Sequence, residues 1–343
     1  MAIIDKPTDY FRIKLYAGNA TDDTAITWDE TDTNMQPDML WFKSRTDIQG
    51  HALFDSVRGA IKRLAPNESG AEGDEATNLD SFDTNGFTVD SEAIVNGSSR
   101  NYVTWGWKAG GTASSNTDGS ITSSVSANTT SGFSIVSWTG TGSAGTIGHS
   151  LGTNPSMIIT KSRSAAGNWY VYHATQGATK FFQLQATDAV ATNSTVWNNT
   201  EPTSSVFSTG TAFDNETTYI AYCFAEKQGY SKFGSYTGNG DADGTFVYTG
   251  FKPAFLLIKQ SGAVGKWLMI DNKRDPDNAC NHRLNADVDN AESTGGIFVD
   301  MLSNGWKFRT TDDDYNTSGV AGIYMAIAEN PFVSSTGVPA TAR

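Results

Sequence analysis

Pro155-Ser156-Met157-Ile158-Ile159-Thr160-Lys161 is a proline, an apolar run and then a lysine. The pattern occurs twice more, as Pro37-Asp38-Met39-Leu40-Trp41-Phe42-Lys43 and Pro253-Ala254-Phe255-Leu256-Leu257-Ile258-Lys259. In every copy the lysine stands six residues after the proline. A ring-bearing residue stands fourteen after it (His51, Trp169, Trp267) and a polar one eighteen after it (Asp55, His173, Asp271). Three offsets kept in three places predict an internal triplication. Proline donates nothing to a β-ladder, so each run is expected as a strand with the proline at its first residue.

The flanks of each run read as more strands. Phe11–Tyr16, Phe133–Trp138 and Phe233–Thr237 open the three units with period-2 alternation or an aromatic strand, and Tyr102–Trp107, Tyr219–Phe224 and Ile323–Ala328 close them. Each unit spans about 95 residues, the size of one β-sandwich. The expected fold is therefore all-β, as three tandem β-sandwich or jelly-roll-like repeats. The boundaries read as an N-terminal arm (1–10), repeat one (11–109), a Gly/Ser/Thr-rich linker (110–132), repeat two (133–228), repeat three (229–331) and a C-terminal tail (332–343). One short strand is expected around Ile121 in the linker. A sheet shared between units stays open as an alternative.

Composition supports this class. With 34 glycines and abundant Thr, Ser and Asn, the chain is poor in helix formers and rich in turn formers. The net charge of −13 argues against nonspecific binding to nucleic acid or anionic membrane, which needs clustered Lys and Arg. Cys223 and Cys280 are the only cysteines. Cys223 sits in the apolar run Ile220–Phe224 and is expected as a buried free thiol. No apolar run reaches the ~18 residues of a membrane span. The start, Met1-Ala2-Ile3-Ile4-Asp5-Lys6-Pro7, has no signal-peptide core. The expected product is soluble and made in the cytoplasm.

Other strings carry a resemblance. His149-x-Leu151-Gly152-x-x-Pro155-x-x-Ile158-Ile159-x-Lys161-x-Arg163 resembles a module of tail and appendage proteins of tailed bacteriophages. His51-Ala52-Leu53-Phe54-Asp55-Ser56-Val57-Arg58-Gly59, Gly229-Tyr230-Ser231-Lys232-Phe233-Gly234-Ser235-Tyr236-Thr237-Gly238 and Ala328-Glu329-Asn330-Pro331-Phe332 extend the likeness over nearly the whole chain. Together they are similar to a family of virion-associated proteins from phages of marine bacteria, including cyanobacteria. The resemblance implies a structural part of a virion but brings no site residues with it. One departure is Gly322, which stands where the other units have Tyr102 and Tyr219, so a tyrosine hydrogen bond is expected to be missing there.

No string makes a convincing catalytic set. Gly148-His149-Ser150-Leu151-Gly152 matches the nucleophile-elbow spacing, but a strand follows it where the elbow needs a helix. Asn239, Asp241 and Asp243 are the candidate Ca²⁺ ligands, against the plainer reading of a hairpin turn. His51, His149, His173 and His282 lack metal-pair spacing. Trp197, in the polar string Val196-Trp197-Asn198-Asn199-Thr200, is the candidate loop-tip contact for a ligand. The expectation is a non-enzymatic tail appendage or fibre-type protein that touches the host surface. The alternatives are a capsid decoration protein and a carbohydrate-binding or polysaccharide-degrading appendage. The expected partners are other virion proteins, further copies of itself as a trimer, and a host surface glycan. No cofactor, nucleic acid or membrane insertion is expected.

Overall fold

The computed structural model describes residues 3–214 and 216–339. Residues 1 and 2 of the expected arm and 340–343 of the expected tail lie outside the described residues. The fold is all-β and antiparallel throughout its ladders. The first large sheet runs, in spatial order, Phe11–Ala17, Asn101–Trp107, Met39–Ser44, Ala52–Asp55 and Gly59–Leu64. The second runs Phe133–Thr139, Thr218–Phe224, Met157–Ser162, Tyr170–His173 and Lys180–Gln183. The third runs Ser231–Thr237, Ala321–Pro331, Phe251–Gln260, Leu268–Asp271 and Leu284–Asn285. The order of pairing is the same in all three: opening strand, closing strand, proline-run strand, then the next two.

A smaller sheet backs each large one. Thr24–Thr27, Gly86–Val89 and Leu79–Asp83 back the first. Gly145–Gly148 and Val206–Thr209 back the second. Phe246–Tyr248, Gly305–Phe308 and Val299–Leu302 back the third.

The proline runs decide how these layers pack. Successive side chains on a strand point to opposite faces. On the first run Leu40 and Phe42 meet the small sheet in a core of their own with Trp28, Phe54 and Phe87. Met39 and Trp41 face the other way, into a core that also takes Met157, Ile159, Phe255 and Leu257 from the other two runs. Being buried on both faces, these strands are apolar at consecutive positions where a half-buried strand would alternate. The three units are thus not self-contained sandwiches. Each has a private core on its outer face, and all three share one on the inner face. The common core leaves a void of about 10 Å³ lined by Met39, Trp107, Ile159, Phe224 and Leu257. An apolar void of that size offers a water no polar partners.

In two runs the strand begins just past the proline, at Met39 and Met157. Pro253 instead sits inside its strand, where the register shifts on both sides of it, as a residue without an N–H requires.

The segment 110–132, read as a linker, is sheet. Ser114–Asn116 and Ser123–Asn128 form a hairpin that extends the second sheet beyond Phe133–Thr139. Its small side chains mark an edge strand, not a free tether. Ile121 makes only a bridge to Ile147. The arm is not free either: Ile4 is buried in the shared core, and its N–H donates to the Gln228 carbonyl at 3.1 Å.

Gly322 is explained by its pairing partner. Tyr236 lies opposite it, and a Cβ on Gly322 would stand 2.2 Å from the Tyr236 ring. Tyr236 donates its own hydroxyl to the Tyr315 carbonyl at 2.7 Å, so the tyrosine bond is moved across the ladder, not lost. Gly322→Ala is expected to destabilise the protein by about 3 kcal/mol through overpacking. A shift under about 0.5 kcal/mol in urea unfolding would show the ring free to move.

Candidate functional site

The conserved offsets fall on the seams between units. The residue fourteen past each proline reaches back to the preceding unit. Trp169 Nε1 donates to the Ala65 carbonyl at 3.0 Å, and Trp267 Nε1 to the Gln183 carbonyl at 3.0 Å. His51 closes the ring: its Nδ1 accepts from Trp41 Nε1 at 2.8 Å, which leaves Nε2–H to donate to the Asn285 carbonyl at 3.0 Å. The residue eighteen past each proline reaches forward. Asp55 accepts from the Tyr222 hydroxyl at 2.7 Å, and Asp271 accepts from Trp105 Nε1 at 3.1 Å. His173 Nε2 meets the Tyr324 carbonyl at 3.2 Å.

Two of the three seams carry a buried chain of charges. Arg58 binds Asp55 at 2.5 Å and Glu72 at 3.0 Å, and Glu72 takes a two-pronged bond from Arg163 of the second unit. Arg274 binds Asp271 at 2.6 Å and Glu292 at 3.1 Å, and Glu292 takes the same fork from Arg45 of the first unit. Such pairs fix geometry through charge-assisted bonds. The seam between the second and third units has His173 in that place, and among the described residues no buried ion pair crosses it.

Lys43, Lys161 and Lys259 are buried at the far end of their runs. Each Nζ donates to the next residue's carbonyl, at 2.8, 2.9 and 3.0 Å. Burial pulls all three down to about 8. Carboxylates partly offset this at Lys43 (Asp289, Glu292) and Lys259 (Asp287, Asp188), whereas Lys161 has no such neighbour. Below pH 8 the folded and unfolded states both carry the charge, and the fold bears the cost of burying it. Between pH 8 and 10.5 only the unfolded state holds the proton, so stability from these groups rises with pH. Lys161→Met is expected to stabilise the protein by about 1–3 kcal/mol at pH 7, more than the same change at Lys43 or Lys259, with the gain shrinking by pH 10. Urea melts of the three variants at both pH values check this; equal or negative effects at Lys161 would contradict it.

The sequence candidates fare differently. Trp197 is not at a loop tip. It is 2 % exposed, on the one-turn helix Ser194–Trp197, against Tyr172 and Phe213. Its polar neighbours are the helix's own ends: Asn193 accepts from the Thr195 N–H, and Asn198 takes a left-handed conformation. Asn239, Asp241 and Asp243 do share a turn, but their oxygens are occupied. Asn239 Oδ1 accepts from the Asp241 N–H and Asn316 Nδ2, each at 3.1 Å. Asp241 Oδ1 accepts from the Asp243 N–H at 2.8 Å, and Asp243 pairs with Lys307. Among the described residues no group of three His, Cys, Asp or Glu is placed to hold a metal. Ser150 is left-handed and exposed, and its hydroxyl is bonded to Asn116, not to a histidine. Cys223 and Cys280 are buried free thiols, and burial raises both.

Three clefts open near the proline ends of the runs. One of about 440 Å³ lies under the arm by Lys6 and Tyr10. One of about 330 Å³ lies between Arg12 and Glu30 of the first unit and Lys273 of the third. The largest, about 600 Å³, lies between the second and third units and includes Asn154, Gln228 and Tyr248. Sequence reasoning missed it because its walls come from segments about 100 residues apart. Only the alternation Phe246-Val247-Tyr248, with Val247 buried, signals an outward aromatic.

A family model described as a domain of unknown function, DUF7483, matches residues 6–331. No curated protein and no solved structure matches the chain.

Proposed function

Because the chain belongs to the DUF7483 family, whose function is unknown, we propose a role from its build: a non-enzymatic structural component of a phage particle, of the tail-appendage or fibre type, that contacts the host surface. The observation that carries the reading is the single core shared by three sheets whose seams are bonded at every junction. That construction gives a stiff body with its loops at the surface, which suits a part that bears load and presents a surface. The sequence likeness to virion-associated phage proteins supports the same reading.

The particle is the expected location, with other virion proteins and further copies of the chain as neighbours. A labelled copy located on intact particles by electron microscopy is expected at the tail. Label confined to the head would move the assignment to capsid decoration. Purified protein is expected to bind host envelope without releasing sugar from it, and to run as a trimer in light scattering.

A further inference from the structure

We propose that the cleft of about 600 Å³ between the second and third units binds an acidic saccharide, a reading that gives the proposed surface contact its ligand. The volume is within the range of small-molecule sites. Tyr248 stands on its rim, 58 % exposed, while Val247 beside it is buried in the small sheet. It is therefore held by its backbone yet leaves its ring face open, as a platform for the C–H face of a sugar ring.

Part of the lining is neutral and unspent. Among the described residues the side chains of Asn154, Ser156 and Gln228 make no hydrogen bonds within the protein, although all three line the cleft. A few convergent neutral donors and acceptors beside an aromatic suit a hydroxylated ligand better than an apolar one.

Charge selects the acidic class. Glu226 is matched by Lys232 at 2.7 Å. Lys227 lines the same cleft, and among the described residues no carboxylate pairs with it. Lys227 also borders the cleft under the arm, where Lys6 is answered by Asp32 at 2.7 Å, but there no exposed aromatic of the small sheet stands beside it. In the third cleft Lys273 is answered by Glu30 at 3.3 Å. A carboxylate or sulfate on the sugar would supply what Lys227 lacks, through a charge-assisted bond.

Calorimetric titration of the full chain with trigalacturonate and a sulfated carrageenan tetrasaccharide tests the site, with galactotriose as the neutral comparison. At least one acidic sugar is expected to saturate, and galactotriose to bind at least about fivefold more weakly. Tyr248→Ala is expected to weaken the acidic sugar about tenfold, equivalent to about 1.4 kcal/mol. Lys227→Gln is expected to erase the preference for acid over neutral. Both side chains are at least partly exposed, and unchanged melting temperatures would show the fold intact. No saturation by either acidic sugar, or full affinity in Tyr248→Ala, overturns the proposal. Envelope binding that persists in Tyr248→Ala would reject this cleft and leave the host-surface reading standing. Sugar binding without envelope binding would do the reverse.

Discussion

Asp271→Ala is expected to destabilise the protein by about 3–5 kcal/mol, the range for stripping one partner from a buried ion pair. Asp271 is fully buried. Its Oδ1 accepts from the backbone N–H groups of Lys273 and Arg274, at 3.1 and 2.9 Å. Its Oδ2 accepts from Arg274 Nε at 2.6 Å and from Trp105 Nε1 at 3.1 Å. Removal leaves the Arg274 guanidinium, itself buried over the Trp105 ring, with Glu292 as its remaining carboxylate. The net worth of the pair is a separate matter. Replacing both members, as in Asp271→Leu with Arg274→Met, removes the stranded charge and is expected to cost much less than Asp271→Ala alone. Urea unfolding of the single and double variants decides this. A loss below about 1 kcal/mol in the single variant would mean the site takes up water and was never a sealed seam.

Trp107→Ala is expected to cost a similar 3–5 kcal/mol, by lost transfer energy and an unfilled cavity. The particular claim concerns how the loss is distributed. Trp107 contacts Phe11 in its own unit, Phe224 in the second and Phe255 in the third, with ring centroids at 4.8, 6.3 and 5.8 Å. With one core common to all three sheets, unfolding should be a single cooperative event, and the substitution should move that event as a whole. Calorimetry is expected to show one transition before and after. Two or three resolved transitions, with only one displaced, would mean that the units fold separately and merely touch.

The proline runs made the strands legible, because burial on both faces leaves only apolar side chains to read. The same fact hid the architecture. A doubly buried strand looks alike whether its second face meets its own small sheet or a neighbour's large one. The offsets at fourteen and eighteen residues were visible, but their meaning was not, since each bonds to a segment far away in sequence. Two errors came from composition. The Ser and Thr of 114–128 suit an edge strand as well as a tether, and the asparagines around Trp197 are helix ends rather than signs of exposure. The cleft at Tyr248 is a product of the seam and has no local signature.

The seam built on His173 has a consequence for how the molecule comes apart. Burial pushes His173 down to about 4, so it stays neutral when the unfolded chain begins to take up protons below pH 6.5. Burial pushes His51, in the seam clamped by Arg274 and Arg45, down further, to about 3. Acid therefore draws on both histidine seams, and among the described residues the one at His173 has no buried ion pair to hold it. Opening should start as a local breach along 180–190 and 258–268, and amide exchange there should quicken first as the medium is made mildly acidic.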